Sequence, residues 1–196
     1  MSKNIKAILL GCVGVGKTNL INACCGRPFL YNERSTITSN YISKVVEVDN
    51  ECYNVDLWDT AGQEKYYNVT KIFFKGAQII IFVYDITSEQ SFLGLEKWIT
   101  MAEEMIEGNH ICGIIGNKSD LIMDLQVNEE DCSKFAQSKR CKYKIVSALK
   151  NPKGFSDFFD ELVRDLIMFR LYKTKESFCI NGKNHFVKKD KTTCGC

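Results

Sequence analysis

Ile8-Leu9-Leu10-Gly11-Cys12-Val13-Gly14-Val15-Gly16-Lys17-Thr18 joins a short apolar run to the pattern G-x-x-x-x-G-K-[ST]. The apolar run reads as a buried strand and the pattern as a phosphate-binding loop at its end. Each residue type has a physical reason to be there. Glycines let the backbone curl until its N–H groups face anionic oxygens. Lys17 can neutralise charge on the β- and γ-phosphates, and the Thr18 hydroxyl can ligate Mg²⁺, a hard cation that prefers oxygen. Residues Thr18 to Ala23 look helical, so a helix starting near Lys17 turns its positive end towards the same anion. The competing reading is a glycine-rich turn that binds nothing. The strand before the loop and the helix after it argue against that, although the loop alone specifies only a nucleoside triphosphate.

Working outward, strand-like and helix-like stretches alternate. Lys6 to Leu10 predicts a strand, followed by the loop and a helix to about Cys25. Residues 27 to 40 are polar and aperiodic, as a loop should be. Tyr41 to Val48 alternates and passes through Asp49-Asn50, a hairpin turn, into Tyr53 to Trp58. Gln78 to Tyr84 is continuously apolar, which suits an interior parallel strand. Phe92, Leu95, Ile99, Ala102 and Ile106 place one helix over Ser88 to Ile106. Ile111 to Gly116 predicts a strand, Asn128 caps a helix to about Ser138, Tyr143 to Ser147 predicts the last strand, and Phe155 to Leu171 a long amphipathic helix. Such alternation means an α/β doubly wound sheet with its ligand at the carboxyl ends of the strands.

The chain of 196 residues suits one domain with a substantial core. Its net charge of +2 gives no general case for nucleic-acid binding. The charge is uneven: residues 171 to 196 hold six Lys against Glu176 and Asp190, a net +4, which leaves −2 for residues 1 to 170. No run of 18 apolar residues suggests a membrane span. Met1-Ser2-Lys3-Asn4 leads directly into a strand, which predicts a chain without a secretory leader. The ten cysteines are therefore expected as reduced thiols, with Cys24, Cys25 and Cys112 as small core residues. No paired C-x-x-C spacing points to zinc.

Three more motifs follow predicted strands. Asp59-Thr60-Ala61-Gly62-Gln63-Glu64 succeeds Trp58. An acid there suits Mg²⁺ through water, Gly62 lets a backbone N–H reach a γ-phosphate, and Gln63 can orient an attacking water. Asn117-Lys118-Ser119-Asp120 follows Ile115, and the Asp120 carboxylate can accept two hydrogen bonds that guanine offers and adenine does not. Ordinary turn chemistry competes for Asn117 and Asp120. Ser147-Ala148 could present a backbone N–H to the base.

With Ser35-Thr36-Ile37 as the remaining motif, the chain resembles the Ras-like small GTPases, the Rab branch in particular, over residues 3 to about 172 and the last three residues. The resemblance implies a six-stranded, mostly parallel sheet with one antiparallel strand and helices on both faces, in a domain of residues 1–172. It implies a GTP/GDP switch in vesicle-mediated transport that binds guanine nucleotide with Mg²⁺ and hydrolyses GTP. Lys17 and Gln63 are the implied catalytic residues. Val13, Gly14, Val15, Gly16, Lys17, Thr18, Asn19, Phe29, Thr36, Gly62, Asn117, Lys118, Asp120, Ser147, Ala148 and Leu149 form the implied nucleotide site. Thr18 and Thr36 are the implied direct Mg²⁺ ligands, with Asp59 acting mostly through water. Tyr41, Trp58 and Phe73 match aromatics that effectors read, with partial core packing as the bland alternative.

The same resemblance extends to the tail, residues 173–196, expected to be flexible and basic. Cys194-Gly195-Cys196 looks like the ending that carries two geranylgeranyl groups, and two lipids anchor stably where one does not. Lys188, Lys189 and Lys191 either add attraction to acidic lipids or are simply solvated. Implied partners are an exchange factor, a GTPase-activating protein, an escort protein, a GDP-dissociation inhibitor and effectors at residues 30–42 and 60–75. The implied location is the cytoplasmic face of an intracellular membrane, cycling with cytosol, for a monomer that binds no nucleic acid. Val13, Glu33, Thr38 and Leu149 depart from the family pattern. Val13 crowds the γ-phosphate and predicts slow hydrolysis; a GTP-binding interaction module with negligible turnover is the alternative. A small-metabolite kinase would need an Arg-rich lid that this sequence lacks.

Overall fold

The computed structural model describes residues 3–31, 40–60, 73–106 and 108–183. Thr36, Gly62, Gln63, Cys194 and Cys196 lie outside those residues. Six strands, β1 (Asn4–Leu10), β2 (Asn40–Val48), β3 (Glu51–Asp59), β4 (Ile79–Asp85), β5 (Ile111–Asn117) and β6 (Lys142–Ile145), form one sheet in the order β2-β3-β1-β4-β5-β6. All pairs are parallel except β2 with β3, which are antiparallel. Asp49 (φ 52°) and Asn50 (φ 63°) make the β2–β3 turn. Two successive positive φ angles match the right-handed twist of the strands they join, and Asn and Asp tolerate them better than other side chains.

Side chains of β1 alternate between two cores, as the two-residue period of a strand requires. Ile5, Ala7 and Leu9 meet Leu20 and Ile21 of α1 (Lys17–Cys24) and Phe155, Phe159 and Leu162 of α5 (Pro152–Lys183). Ile8 and Leu10 instead join Phe82 and Tyr84 of β4 and the far-side helices α2 (Glu89–Leu93), α3 (Leu95–Met105) and α4 (Glu129–Ser138), through Leu95, Trp98, Ile99 and Cys132 among others. Every residue of β4 is buried, the burial that its unbroken apolar run predicts. The carboxyl ends of β1, β3, β4 and β5 therefore lie along one rim, and the chain reverses its direction of winding beside β1. That rim is where a doubly wound sheet leaves a crevice.

Two element boundaries differ from the sequence expectation for definable reasons. The helix expected over Ser88 to Ile106 is split at Gly94. A Cβ on Gly94 would lie 3.0 Å from the Cys12 Sγ, so the glycine lets this segment press against the phosphate loop. Ser88 caps the first piece by accepting from the Ser91 N–H at 3.2 Å. At the other end of the chain α5 begins at Pro152, where a missing N–H goes unnoticed in the first helical turn. It continues to Lys183, so its last turns lie in the segment that composition assigns to the tail. A 3₁₀ helix over Ser119–Asp124 was not expected.

Candidate functional site

The loop after β1 is built by backbone that only glycine tolerates at two points. Gly11 has φ 152°, and a Cβ there would lie 2.1 Å from the Val83 carbonyl oxygen. Gly16 has φ 93°, and its Cβ would lie 2.4 Å from the Asn117 Nδ2. Gly16 also occupies the cap position of α1, which receives no side-chain cap and has no acid in its first turn. The positive end of that helix therefore carries no acid of its own first turn. Val15 is buried at the base of the loop, whereas Val13 is 46% exposed above it.

Lys17 is 6% exposed. Its ammonium donates to the carbonyl oxygens of Gly11 and Cys12, both at 2.9 Å. Burial pulls its pKa down from 10.5 to about 8, against the upward pull of Asp59 and Cys12. Beside it, the Thr18 hydroxyl donates to an Asp59 carboxylate oxygen at 2.7 Å. The Thr60 hydroxyl donates to the Leu9 carbonyl, fixing the segment after β3 against β1.

Asn117, at the end of β5, joins three motifs. Its Nδ2 donates to the Val15 carbonyl at 2.9 Å, and its Oδ1 accepts from the Ala148 N–H at 3.1 Å. Lys118 adopts φ 68° and pairs with Asp85 at 2.5 Å. The Ser147 hydroxyl donates to the Asp120 carboxylate and accepts from the Lys150 N–H. Leu149 follows in the same turn, half-buried. On the α1 side, the Asn19 amide bonds both backbone groups of Leu30, at 3.0 and 2.8 Å. This holds Phe29, whose ring meets Tyr31 edge-on at 5.0 Å. The structure thus brings Val13 to Asn19, Phe29, Asp59, Asn117, Lys118, Asp120, Ser147, Ala148 and Leu149 to one rim.

Tyr41 stacks on Trp58 at 4.9 Å, and Trp58 meets Phe73 at 5.9 Å. The three aromatics form one row, but unequally exposed: Tyr41 is 51% accessible and Phe73 only 8%. Core packing accounts for Phe73 better than a surface contact does. The ammonium of Lys6 sits 4.7 Å from the centre of the Trp58 ring, a neighbour that sequence reading missed. Asp85 was missed as well. It stands one residue past the predicted strand, and its acidic character at the rim was the available signal. It accepts from the N–H and hydroxyl of Thr87 as well as from Lys118. Among the described residues no group of three or more His, Cys, Asp or Glu could hold a metal ion.

A glycine loop running into a helix without a side-chain cap, a buried lysine, and an oxygen pair from Thr18 and Asp59 define a phosphate-loop nucleotide-binding α/β protein. Comparison with known proteins makes the assignment narrower. Residues 6–168 match the model of the Ras family. The chain is 32% identical to Ras-related protein Rab-11C of Dictyostelium discoideum over 182 residues, covering 93% of this chain and 80% of that one. It is 33% identical to Ras-related protein Rab5A of Oryza sativa subsp. japonica over 165 residues, 84% and 81% of the two chains. The same identity and length relate it to human Ras-related protein Rab-21, covering 84% and 72%. The chain belongs to the Ras family, as a Rab-like small GTPase.

Proposed function

We propose that the rim binds guanine nucleotide with Mg²⁺ and that this chain is a slow GTP/GDP switch in vesicle traffic. The observation that carries the reading is the buried Asn117 side chain, which ties the phosphate loop to both halves of the base site. Asp120, oriented by Ser147, accepts from the guanine edge. Lys118, held by Asp85, covers one face of the base, and Phe29 the other. Backbone N–H groups from Val13 to Thr18 hold the phosphates. Lys17 leaves its two carbonyl partners to meet the β- and γ-phosphates, where it stabilises the charge that develops in transfer.

The Thr18 hydroxyl and the Asp59 carboxylate offer the hard oxygen chemistry that Mg²⁺ takes, and they already sit in contact. They would hold the ion, with Asp59 acting through water, and Thr36 would join from its own segment. The ion supplies charge neutralisation between the phosphates. Gln63 orients the attacking water and Gly62 offers its N–H to the γ-phosphate. Residues 30–42 and 60–75 respond to the γ-phosphate and meet effectors, with Tyr41 and Trp58 the accessible members of the aromatic row. Turnover is assisted by an activating partner's arginine, and nucleotide exchange by an exchange factor.

Among the described residues no helix is long and apolar enough to cross a membrane. Attachment to an intracellular membrane rests on lipid groups at Cys194 and Cys196, delivered by an escort protein and masked by a dissociation inhibitor. The exposed Val13 favours a second reading, GTP binding with negligible hydrolysis. Competition of GTP against ATP for a fluorescent GDP, followed by single-turnover hydrolysis, tests both. Displacement by ATP at equal strength refutes guanine selection, and a turnover indistinguishable from uncatalysed GTP leaves only the second reading.

A further inference from the structure

The far end of the β5–β6 pair carries two thiols that the nucleotide site does not use. Gly113 of β5 is in parallel register with Lys142 of β6. Cys112 and Cys141 each stand one residue earlier, so the same register sets them side by side. Both pack on the same core, with Tyr143 and Ile145, and so share a face of the sheet. Both are free and half-buried. Neighbouring parallel strands run about 4.8 Å apart, within the roughly 4.4–6.8 Å that Cα atoms span across a disulfide. Cys141 lies just outside β6, after Arg140 in a left-handed turn (φ 54°), where the backbone is not locked into the ladder.

We propose that Cys112 and Cys141 form a redox-sensitive dithiol that closes to a disulfide on exchange with a small-molecule disulfide of the glutathione class. The Cys141 thiol donates to the Lys139 carbonyl at 3.5 Å, and the neighbouring Cys112 pulls the pKa of Cys141 below the usual thiol value while that of Cys112 is pushed up. Lys139 assists ionisation of Cys141, while burial and Glu103 oppose it. Cys141 is therefore the attacking thiol and Cys112 the resolving one. Two other described thiols are placed differently. Cys24 is buried against Lys44, with its pKa pushed up to about 12, and Cys52 is exposed on β3.

The Cys141 thiolate attacks one sulfur of oxidised glutathione, breaks its S–S bond and releases one glutathione thiolate. Cys112 gives its proton to solvent, attacks the Cys141 sulfur of the mixed disulfide, and expels the second glutathione. The two protein thiols lose two electrons and two protons, and oxidised glutathione becomes two molecules of glutathione. The resulting clasp fastens edge strand β6 to β5, the two strands that lead into Ser147-Ala148 and Asn117. In a reducing compartment the pair rests open and closes only under oxidation.

The test uses the full chain loaded with GDP. It is incubated in oxidised glutathione, its remaining thiols are alkylated, and the digested peptides are weighed. The expected product is a peptide pair joined through Cys112 and Cys141, reversed by excess reduced glutathione, with Cys52 carrying only a mixed disulfide. Cys112→Ser should trap glutathione on Cys141. If both thiols of the wild-type folded protein remain separately alkylatable, or their cross-link appears only after urea, the proposal is overturned.

Discussion

Replacing Lys17 by Met exposes what the fold gives up to keep an ammonium group inside it. Lys17 is 6% exposed, and burial lowers its pKa from 10.5 to about 8. Below about pH 8 the amine is charged in both folded and unfolded chains, and the desolvation penalty is fully present. Between about 8 and 10.5 the unfolded chain binds more protons than the folded one, so stability rises with pH. At about 1.36 kcal/mol per pKa unit, the whole gap is worth roughly 3 kcal/mol, of which about 2 kcal/mol appears between pH 7 and pH 9.5. Methionine has a similar reach and no charge, so its protein lacks this component. Urea unfolding of the nucleotide-free, chelator-treated wild type and Lys17→Met at both pH values isolates it, because other titrating groups cancel in the comparison. The wild type should gain about 2 kcal/mol on the variant as pH rises. A relative change below about 0.5 kcal/mol would refute the argument, since Lys17 would then be as well solvated folded as unfolded. The variant should also lose GTP binding at either pH.

Asn117→Ala leaves the Val15 carbonyl and the Ala148 N–H without their partner in a buried place. A loss of about 2–5 kcal/mol in urea unfolding is expected, with weaker guanine nucleotide binding; full stability would mean that the clamp is dispensable. Val13→Ser should raise single-turnover GTP hydrolysis about tenfold, a barrier change of ~1.4 kcal/mol, and equal rates would remove Val13 as the brake. Chelation of Mg²⁺ should speed release of fluorescent GDP from the wild type by about tenfold or more. Thr18→Ala should release it fast already, with little further response to the chelator; an undiminished response would take Thr18 out of the ion's shell.

The fold was legible because its strongest signals are local and repeated. The all-buried β4 could be read from six consecutive apolar or aromatic positions, Ile79 to Tyr84, and the β2–β3 turn from Asp49-Asn50, since both depend on a few adjacent residues. Asn128 was a readable cap for the same reason: its side chain accepts from the Asp131 N–H at 2.8 Å, three residues on. The break at Gly94 was not legible. Helical periodicity continues across it, and the close contact that favours a glycine there is with Cys12, more than eighty residues earlier in the chain. The 3₁₀ turn after Asn117 escaped as well, because its apolar residues Leu121, Ile122 and Met123 are exposed and so carry no periodic core signal.

At the site, sequence gave the residues and the structure gave their present partners. Lys17 lies on carbonyl oxygens, Thr18 on Asp59, Asp120 on Ser147, and Lys118 on Asp85. Two of these contacts survive ligand binding on the proposed reading, because Ser147 and Asp85 brace groups that face the base. The other two are exchanged: Lys17 leaves its carbonyls for phosphate, and Thr18 turns from Asp59 towards the ion. Affinity for the base is thus built on pre-oriented groups, while affinity for phosphate and metal includes the loss of protein contacts. The desolvated Lys17 offsets that loss, since an anion restores the charge partner that burial withholds. Base recognition should therefore persist in variants of Lys17 and Thr18 when it is read with a guanine nucleoside, whereas variants of Asn117 or Asp120 should weaken nucleoside and nucleotide alike.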